Sequence, residues 1–186
     1  MELIVGIDEV GRGAWAGPVV AGAVILSQDI SGLTDSKLLS RDKRESLYEQ
    51  IIKYASSYAT GWVDPSDVDK LGMTQSVRLA MKRAIDSITC EYSKIIIDGS
   101  YNFLPEYINS ETLIKADLLI PSVSAASILA KVERDRFMSK QDKLYPGYSF
   151  ADNVGYGTKS HRLGLEKFGV TKIHRLSFKP IKKLII

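Results

Sequence analysis

Apolar and β-branched residues are grouped in short runs, each bounded by glycine, proline or polar residues, and this pattern is typical of buried strands. The runs that predict strands are residues 2–7, 18–26, 56–63, 94–97 and 112–116. Only a short connection separates the first two runs, which favours an antiparallel pair at the start of the chain.

Other segments repeat their apolar residues at helical spacing. Three of them follow a residue that can cap a helix: 41–55 after Ser40, 75–88 after Thr74 and 123–141 after Ser122. A shorter helix is predicted between Thr158 and Gly169, after a loop-rich stretch. Strands interleaved with helices predict an α/β fold in which helices flank a mixed central sheet. We expect residues 1–186 to form one domain whose C-terminal portion, from about residue 142, is helical and basic.

The third helical segment carries two stripes of different character. The apolar stripe, predicted to be core, contains Ala125, Ile128, Leu129 and Val132. The polar stripe contains Ser124, Ser127, Lys131 and Arg134. Its small serines either let the helix pack closely on the sheet or reach a nucleic-acid backbone.

Composition places the chain among ordinary globular proteins, with 186 residues, 45% of them hydrophobic and 25% charged. No stretch approaches the roughly 20 apolar residues that span a bilayer, and the first residues lack the features of a cleaved signal. The single cysteine, Cys90, lies in a helix-like segment, cannot form an internal disulfide and is interpreted as a packing residue. We therefore expect a cytoplasmic protein with no membrane partner.

The net charge of +3 permits a polyanionic partner, and the distribution of charge is more informative than the total. A basic stretch near the C-terminus surrounds Phe178 with Lys172, Arg175, Lys179, Lys182 and Lys183. This mixture suits a surface that contacts phosphates, with Arg175 as one contact, and it suits a solvated tail equally well.

Acidic residues follow three of the predicted strands: Asp8 and Glu9 the first, Asp98 the fourth and Asp117 the fifth. Side chains at strand ends converge on one crevice in an open sheet. Carboxylates about 4 Å apart in a partly dry site repel by several kcal/mol, and divalent cations remove that cost. We therefore predict two Mg²⁺ or Mn²⁺ ions, with Asp8 as the ligand that bridges them.

Two points oppose this prediction. Acids at strand ends also serve as turn formers or helix caps, and Asp117 lies close to Pro121. Alternation along a flat strand places Asp8 and Glu9 on opposite faces. Either the first strand twists or bulges there, or Glu9 contributes by a different route.

The acids run directly into a glycine-framed turn, Gly11, Arg12 and Gly13. A dinucleotide-binding loop would need a helix after the glycines, but Gly17, Pro18 and a β-branched run follow, and the acids would repel a pyrophosphate. The glycines either let the backbone approach a sugar or phosphate closely or form a tight turn and nothing more.

Seven motifs then occur in a familiar order: GIDEVGRG, LTDSKLLS, IIDGS, KAD, SAASILAKVERD, GYGT and HRLSF. From about Ile4 to Phe178 the sequence resembles the bacterial ribonuclease HII family of type 2 ribonucleases H. The resemblance implies a ribonuclease H-like fold. It also implies metal-dependent endonucleolytic cleavage of RNA in RNA–DNA hybrids and at single ribonucleotides in duplex DNA, leaving 3′-hydroxyl and 5′-phosphate ends. Such an enzyme would serve ribonucleotide excision in DNA replication and repair.

The resemblance also assigns site residues. The acidic metal-binding set falls on Asp8, Glu9, Asp98 and Asp117, the same four residues that end strands. The glycine-framed turn, Gly11 to Gly13, would read the 2′-hydroxyl.

Further contacts follow from the later motifs. Tyr156 would pack on the neighbouring sugar, and Ser36 and Lys37 would supply a contact near the cleavage site. Related ribonuclease HIII enzymes carry lysine where this chain has Arg12, and have an additional N-terminal domain, whereas this chain starts at the first strand.

Three residues depart from the family pattern, and the departures bear on sugar recognition and on affinity for nucleic acid. Ala14 stands where proline is common, and Gly157 replaces the usual proline, which we expect to loosen the loop that holds Tyr156. Leu176 interrupts the usual HRRSF and removes a phosphate contact. Neither His161 nor His174 has a histidine or cysteine partner at ligand spacing, so zinc is not expected.

Two alternatives to the hybrid ribonuclease stay open. One is a non-catalytic module that binds hybrids, and the other is a ribonuclease H-like nuclease that acts on DNA, such as a transposase or resolvase. We expect a monomer whose partners are RNA–DNA hybrids and ribonucleotide-containing duplex DNA, together with an unidentified partner in the replication machinery.

Overall fold

A computed structural model describes residues 3–184 and contains a five-stranded mixed sheet. The strands are β1 (Ile4–Val10), β2 (Val19–Leu26), β3 (Ala55–Val63), β4 (Lys94–Asp98) and β5 (Ser110–Leu113). Their order is β3-β2-β1-β4-β5, in which the pairs β1–β2 and β2–β3 are antiparallel and the pairs β1–β4 and β4–β5 are parallel. The mixed sheet and its antiparallel start are confirmed, and residue 2 of the first predicted strand lies outside the described residues.

Helices cover both faces of this sheet. They are α1 (Arg41–Tyr54), α2 (Pro65–Asp86), α3 (Ala116–Leu119), α4 (Pro121–Leu144), α5 (Phe150–Asn153), α6 (Lys159–Phe168) and α7 (Lys179–Lys182). Helix α2 packs on one face, and α4 with α1 packs on the other, so a separate apolar core lies on each side. The α/β fold with flanking helices is therefore as predicted. Among residues 3–184, no helix combines the length and hydropathy that a bilayer crossing requires.

Local capping explains two helices whose bounds follow the prediction closely. The Ser40 hydroxyl accepts the Lys43 N–H at the start of α1. The Thr158 hydroxyl accepts the His161 N–H at the start of α6, and Gly169 ends that helix at a φ of 74°. Such caps satisfy backbone groups that the helix itself leaves unpaired.

One predicted helix start is incomplete and another is wrong. Helix α2 begins at Pro65, where proline suits the first turn of a helix, but a break at Gly72, with φ 74° and ψ 164°, divides it, and its second segment starts beside the predicted Thr74. Helix α4 begins at Pro121, so Ser122 lies in its first turn rather than before it.

The predicted position of Cys90 and of the last strand also needs correction. Cys90 lies beyond the end of α2, where it is half-buried and its Sγ contacts the Ser56 carbonyl at 3.3 Å, so only its packing role holds. Strand β5 ends at Leu113 because Lys115 adopts the left-handed conformation, with φ 60°, which a strand cannot continue.

Helix α4 lies close to the sheet because β1 and β2 present glycines to it. A methyl group on Gly22 would overlap the carbonyl oxygen of Ala126, and one on Gly6 would overlap the backbone of Ser122. Close packing of this kind tolerates no added carbon without movement of the helix.

We predict that Gly22→Ala lowers the free energy of unfolding by about 3 kcal/mol, since overpacking a rigid contact costs that much. Gly13→Ala is the control for stability: its φ lies outside the range of +20° to +160°, and the added methyl group would make only an ordinary contact, 3.6 Å from the Tyr156 ring, so little stability is lost. Urea unfolding of both variants tests the prediction. Equal losses would show that α4 can move away from β2 without penalty.

Candidate active site

Strand pairing brings the first two acids together. Strands β1 and β4 are parallel with Ile7 opposite Ile97, so Asp8 and Asp98 follow side by side where the pairing of the two strands ends. Asp117 approaches them from the start of α3. Each of the three offers a carboxylate oxygen, and these oxygens lie within 4.8 Å of one another.

Hydrogen bonds connect the backbone around Asp117 to the same cluster. The Ala116 N–H donates to Asp98 Oδ1 at 2.8 Å, and the Ser124 hydroxyl donates to the Asp117 carbonyl at 2.6 Å. Together with the left-handed turn at Lys115, these bonds direct the chain back over the end of β4. Asp117 therefore sits on a short helix, not directly at a strand end as predicted.

Burial makes the cluster electrostatically unfavourable. Removal from water, followed by the neighbouring charges of Glu9 and Asp98, raises the pKa of Asp8 from 3.8 to about 8. Burial also raises the pKa of Asp117, with a further contribution from Asp98. A divalent cation would reverse this penalty, and three closely spaced carboxylates are the hard oxygen donors that Mg²⁺ and Mn²⁺ prefer. The residues present therefore fit a divalent-metal centre.

Glu9 is adjacent to this cluster but does not belong to it. Strands β1 and β2 keep an unbroken register through Asp8 and Glu9, so the bulge considered from the sequence is absent there. The Glu9 carboxylate instead accepts a hydrogen bond from Arg12 at 3.0 Å. Burial raises the pKa of Glu9, Arg12 opposes the rise, and Asp98 adds to it, so Glu9 feels the charge of the cluster.

Two of the predicted substrate contacts flank the acids. The Ser36 hydroxyl is buried and lies 3.0 Å from the Ser127 hydroxyl, and the Ser127 side chain lowers the pKa of Asp8 against the effect of burial. Lys37 is exposed, and although desolvation opposes it, Asp35 and the three clustered acids raise the pKa of this lysine. The Ser36 side chain thus supports Asp8, while the Lys37 ammonium adjoins the carboxylates. The sequence predicts only a packing role or a nucleic-acid backbone contact for Ser127.

The glycine-framed turn and Tyr156 are neighbours in the structure. Gly11 has a φ of 92°, and a side chain there would collide with Arg134. A Cβ on Gly13 would lie 3.6 Å from the ring of Tyr156, which is 38% exposed. The two elements expected to contact the sugar therefore form one surface beside the acids.

Two fully buried arginines lie beneath this surface and hydrogen-bond the backbone carbonyls of its loops. Arg134 donates to the carbonyls of Pro18, Val154 and Ala16 at 2.9–3.1 Å. Arg175 donates to the carbonyls of Gly17 and Arg12 at 2.9 and 3.0 Å. Burial, and then the charge of Arg134, lowers the pKa of Arg175 to about 9.

The predicted contact between Arg175 and a substrate phosphate does not fit this position, because a fully buried guanidinium cannot reach solvent-borne phosphate. No local signal marks its role or that of Arg134, since Arg134 stands among Glu133, Asp135 and Arg136 and resembles a surface arginine. Nothing in the local sequence names the carbonyls that it meets.

The rest of the basic stretch is folded, not a free tail. Asp69 accepts the backbone N–H groups of Leu176 and Ser177, and the half-buried Phe178 packs into the core. The exposed basic side chains of the stretch are Lys172, Lys179, Lys182 and Lys183.

The loop at Gly157 makes specific contacts, and its expected loosening relative to proline stays a prediction. A side chain at Gly157 would collide with Trp15, and the Gly157 carbonyl accepts a hydrogen bond from Arg162 Nε at 3.1 Å. The Thr158 N–H also donates to the Tyr156 carbonyl at 2.8 Å.

An open cleft of about 450 Å³ begins beside the acids. Its lining consists of Arg12, Thr74, Asp98, Gly99, Ser100, Tyr101 and Phe103. Thr74 and the two aromatic residues were not predicted as site residues, although the aromatic residues follow the acidic strand end almost directly in the sequence.

The mixed sheet and the carboxylate cluster define a protein of the ribonuclease H-like class. Solved structures have the same fold. Ribonuclease H2 from Pyrococcus horikoshii superposes with a TM-score of 0.84 at 26% identity, covering 98% of this chain and 96% of that one. The ribonuclease HII of Archaeoglobus fulgidus, solved in complex with PCNA, gives a TM-score of 0.75 at 26% identity, with 95% of each chain covered.

The chain belongs to the ribonuclease HII family, since the sequence model of that family, described as Ribonuclease HII, matches residues 5–181. It is 51% identical to the ribonuclease HII of Enterococcus faecalis over 99% of this chain and 72% of that protein. It is 47% identical to the enzyme of Francisella tularensis subsp. novicida, over 98% of this chain and the whole of that protein. The predicted family and its type 2 endoribonuclease activity are confirmed. Enzymes of this family depend on metal and act on RNA–DNA hybrids.

Proposed function

We propose that this chain cleaves RNA within RNA–DNA hybrids and at single ribonucleotides in duplex DNA, leaving 3′-hydroxyl and 5′-phosphate ends. Asp8, Asp98 and Asp117 are its catalytic, metal-binding residues, and Glu9, which Arg12 holds beside their cluster, is the fourth member of the set. The observation that carries the proposal is the close approach of three carboxylate oxygens, within 4.8 Å, beside the surface that Gly13 and Tyr156 form. Residues 1–186 act as one catalytic domain and as a monomer.

Two divalent ions, Mg²⁺ or Mn²⁺, would activate a water molecule and stabilise the leaving oxygen of the phosphodiester when bound. A solved ribonuclease HIII in complex with Mn²⁺ has the same fold as this chain, with a TM-score of 0.72 at 22% identity. Asp8 is buried and lies close enough to both Asp98 and Glu9 to feel their charges, which suits a shared ligand. Arg12 orients the Glu9 carboxylate, and the Lys37 ammonium attracts the substrate backbone.

Recognition of ribose falls to the adjoining turn. The 2′-hydroxyl is the group that separates RNA from DNA at a matched position, and only short-range contacts detect it. Because Arg175 already engages the Arg12 carbonyl, we assign the sugar contacts to peptide N–H groups of Gly11 to Gly13 and to the Tyr156 ring. A partner in the replication machinery is supported by the PCNA complex of the Archaeoglobus neighbour.

Four duplexes of one sequence test this assignment: all-DNA, one embedded ribonucleotide, RNA–DNA hybrid and all-RNA. We expect metal-dependent cleavage of the embedded ribonucleotide and the hybrid, with 3′-hydroxyl ends, on denaturing gels run with Mg²⁺ and with Mn²⁺. Comparable cleavage of the all-DNA duplex would indicate a DNA nuclease, and binding without cleavage would indicate a non-catalytic module.

Tyr156→Ala is expected to lower kcat/KM on the single-ribonucleotide duplex about tenfold or more, because a lost sugar contact is worth about 1.4 kcal/mol. Tyr58→Ala is the matched control, since Tyr58 is also about 40% exposed but lies on β3. Unchanged kinetics in Tyr156→Ala would remove Tyr156 from the substrate-binding set.

A further inference from the structure

The two histidines of the chain meet inside the protein. His161 lies in the first turn of α6, and His174 forms an isolated bridge with Ala16. Their Nε2 atoms are 3.0 Å apart, both side chains are buried, and the rings of Tyr148 and Phe150 pack around them. Their positions in the sequence gave no indication of this pairing.

The backbone groups at the two ends of the pair determine where each proton lies. The Thr171 N–H can only donate, and it lies 2.8 Å from His174 Nδ1, which must therefore be the bare nitrogen. The Tyr156 carbonyl can only accept, and it lies 3.0 Å from His161 Nδ1, which must therefore carry the proton. His174 accordingly donates from Nε2 to the bare Nε2 of His161. Both rings are neutral, and they are opposite tautomers.

A second proton on either ring would disrupt this chain of hydrogen bonds. On His174 it would break the bond that the Thr171 N–H donates to Nδ1 and leave only the Thr171 hydroxyl, 2.9 Å away, as an acceptor. On His161 it would face the donor Nε2 of His174. Burial lowers the pKa of both histidines, and the neighbouring ring adds to the effect for His174, whose pKa falls to about 4. The neutral pair is therefore the form present at neutral pH.

The chain of hydrogen bonds connects the two elements of the proposed sugar-binding surface. At one end, residues 173–175 are bonded to the loop after the glycine turn: the Gly17 N–H donates to the Ile173 carbonyl, and the Arg175 N–H donates to the Trp15 carbonyl. At the other end, His161 holds the carbonyl of Tyr156. The two loops are also joined directly, because the Trp15 and Ala16 N–H groups donate to the Gly155 carbonyl at 2.8 and 3.2 Å. The histidine pair adds a second connection, which acts on the Tyr156 carbonyl itself.

We propose that His161 and His174 are positioning residues that set the place of Tyr156 for ribose recognition. The proposal rests on the proposed function, in which Tyr156 contacts the sugar. Apolar side chains could fill the same space, but they could not donate to the Tyr156 carbonyl. The fixed direction of the hydrogen bonds allows one arrangement of the loop and disfavours the others.

The tautomers are measurable in the unaltered protein. In protein with ¹⁵N-labelled histidine, long-range ¹H–¹⁵N spectra at neutral pH are expected to show one histidine protonated at Nδ1 and the other at Nε2. Two rings with the same tautomer, or an imidazolium in either, would overturn the proposal without any variant having to fold.

Three variants then test the positioning role. His161→Phe keeps an aromatic ring at this position without a donor and is expected to lower kcat/KM on the single-ribonucleotide duplex about tenfold. His161→Asn places an amide N–H near the original Nδ1 position and is expected to recover most of that loss. In a Tyr156→Ala background, His161→Phe should cause no further loss, because its effect acts through Tyr156.

The outcomes separate the two proposals. A loss in His161→Phe that adds fully to that of Tyr156→Ala, or no recovery in a folded His161→Asn, would overturn the positioning role while leaving the sugar contact intact. No effect of Tyr156→Ala by itself would overturn the sugar contact. Circular dichroism and urea unfolding establish that each variant is folded.

Discussion

Asp8→Asn is expected to abolish most cleavage and, at the same time, to stabilise the metal-free protein. Loss of a carboxylate ligand at the centre of the cluster should reduce the cleavage rate by roughly 10² or more while substrate binding persists. Denaturing gels measure the first effect, and fluorescence anisotropy with a labelled hybrid measures the second.

The stability gain follows from the raised pKa of Asp8, about 8 in the folded protein against an ordinary value of 3.8. Between these values the folded state binds a proton that the unfolded state has released, so stability falls as pH rises. Asparagine has no proton to release. Its stabilising effect should therefore be absent below about pH 4, grow through neutral pH and level off above about pH 8, at on the order of 2–4 kcal/mol.

Urea unfolding in EDTA between pH 4 and pH 9 measures this profile. Asp29→Asn serves as the control, because Asp29 is an exposed carboxylate in the loop after β2 and should change neither cleavage nor the pH profile. Full cleavage by Asp8→Asn, or a stability difference that does not vary with pH, would contradict the role assigned to the buried cluster.

Arg134→Met is expected to cause the largest loss of stability among these variants, about 3–5 kcal/mol, because each buried acceptor left without a donor costs about 1–3 kcal/mol. Methionine fills much of the space but leaves the carbonyls of Ala16, Pro18 and Val154 without their donor. The same carbonyls belong to the loops that carry the glycine turn and Tyr156, so cleavage should fall as well.

Arg136→Met is the matched control, two residues further along α4. Arg136 forms half-exposed ion pairs with Glu45 and Glu49, and such pairs contribute at most about 1 kcal/mol. The urea midpoints of the two variants test this difference, and that of Arg134→Met should be clearly the lower. Similar midpoints would mean that the carbonyls around Arg134 find other donors once it is gone.

Local patterns predicted most of the fold. Helices α1 and α6 begin and end near their predicted residues because Ser40, Thr158 and Gly169 act on their own neighbours through caps. The strand runs are accurate to within one or two residues for the same reason, apart from β1, which extends three residues further, and β5. The first part of α2 was missed even though Asp64 and Pro65 carry a recognisable start signal.

Local patterns could not predict which groups from distant parts of the chain come into contact. The sequence places Arg175 in a basic stretch and predicts that it faces solvent. In the structure it donates hydrogen bonds to the carbonyls of Arg12 and Gly17, near the other end of the chain. His161 and His174 read as two unrelated residues until α6 and the C-terminal segment bring their rings together.

The amino-acid sequence by itself determined the α/β character of the chain, the identity of its four acids and their places near strand ends, since these depend on local propensity and on residue type. The tertiary structure alone decided which acids meet. Parallel pairing of β1 with β4 joins Asp8 to Asp98, the turn at Lys115 brings in Asp117, and Arg12 holds Glu9 to one side. Such arrangements depend on strand order and on contacts across the fold, which no local pattern encodes.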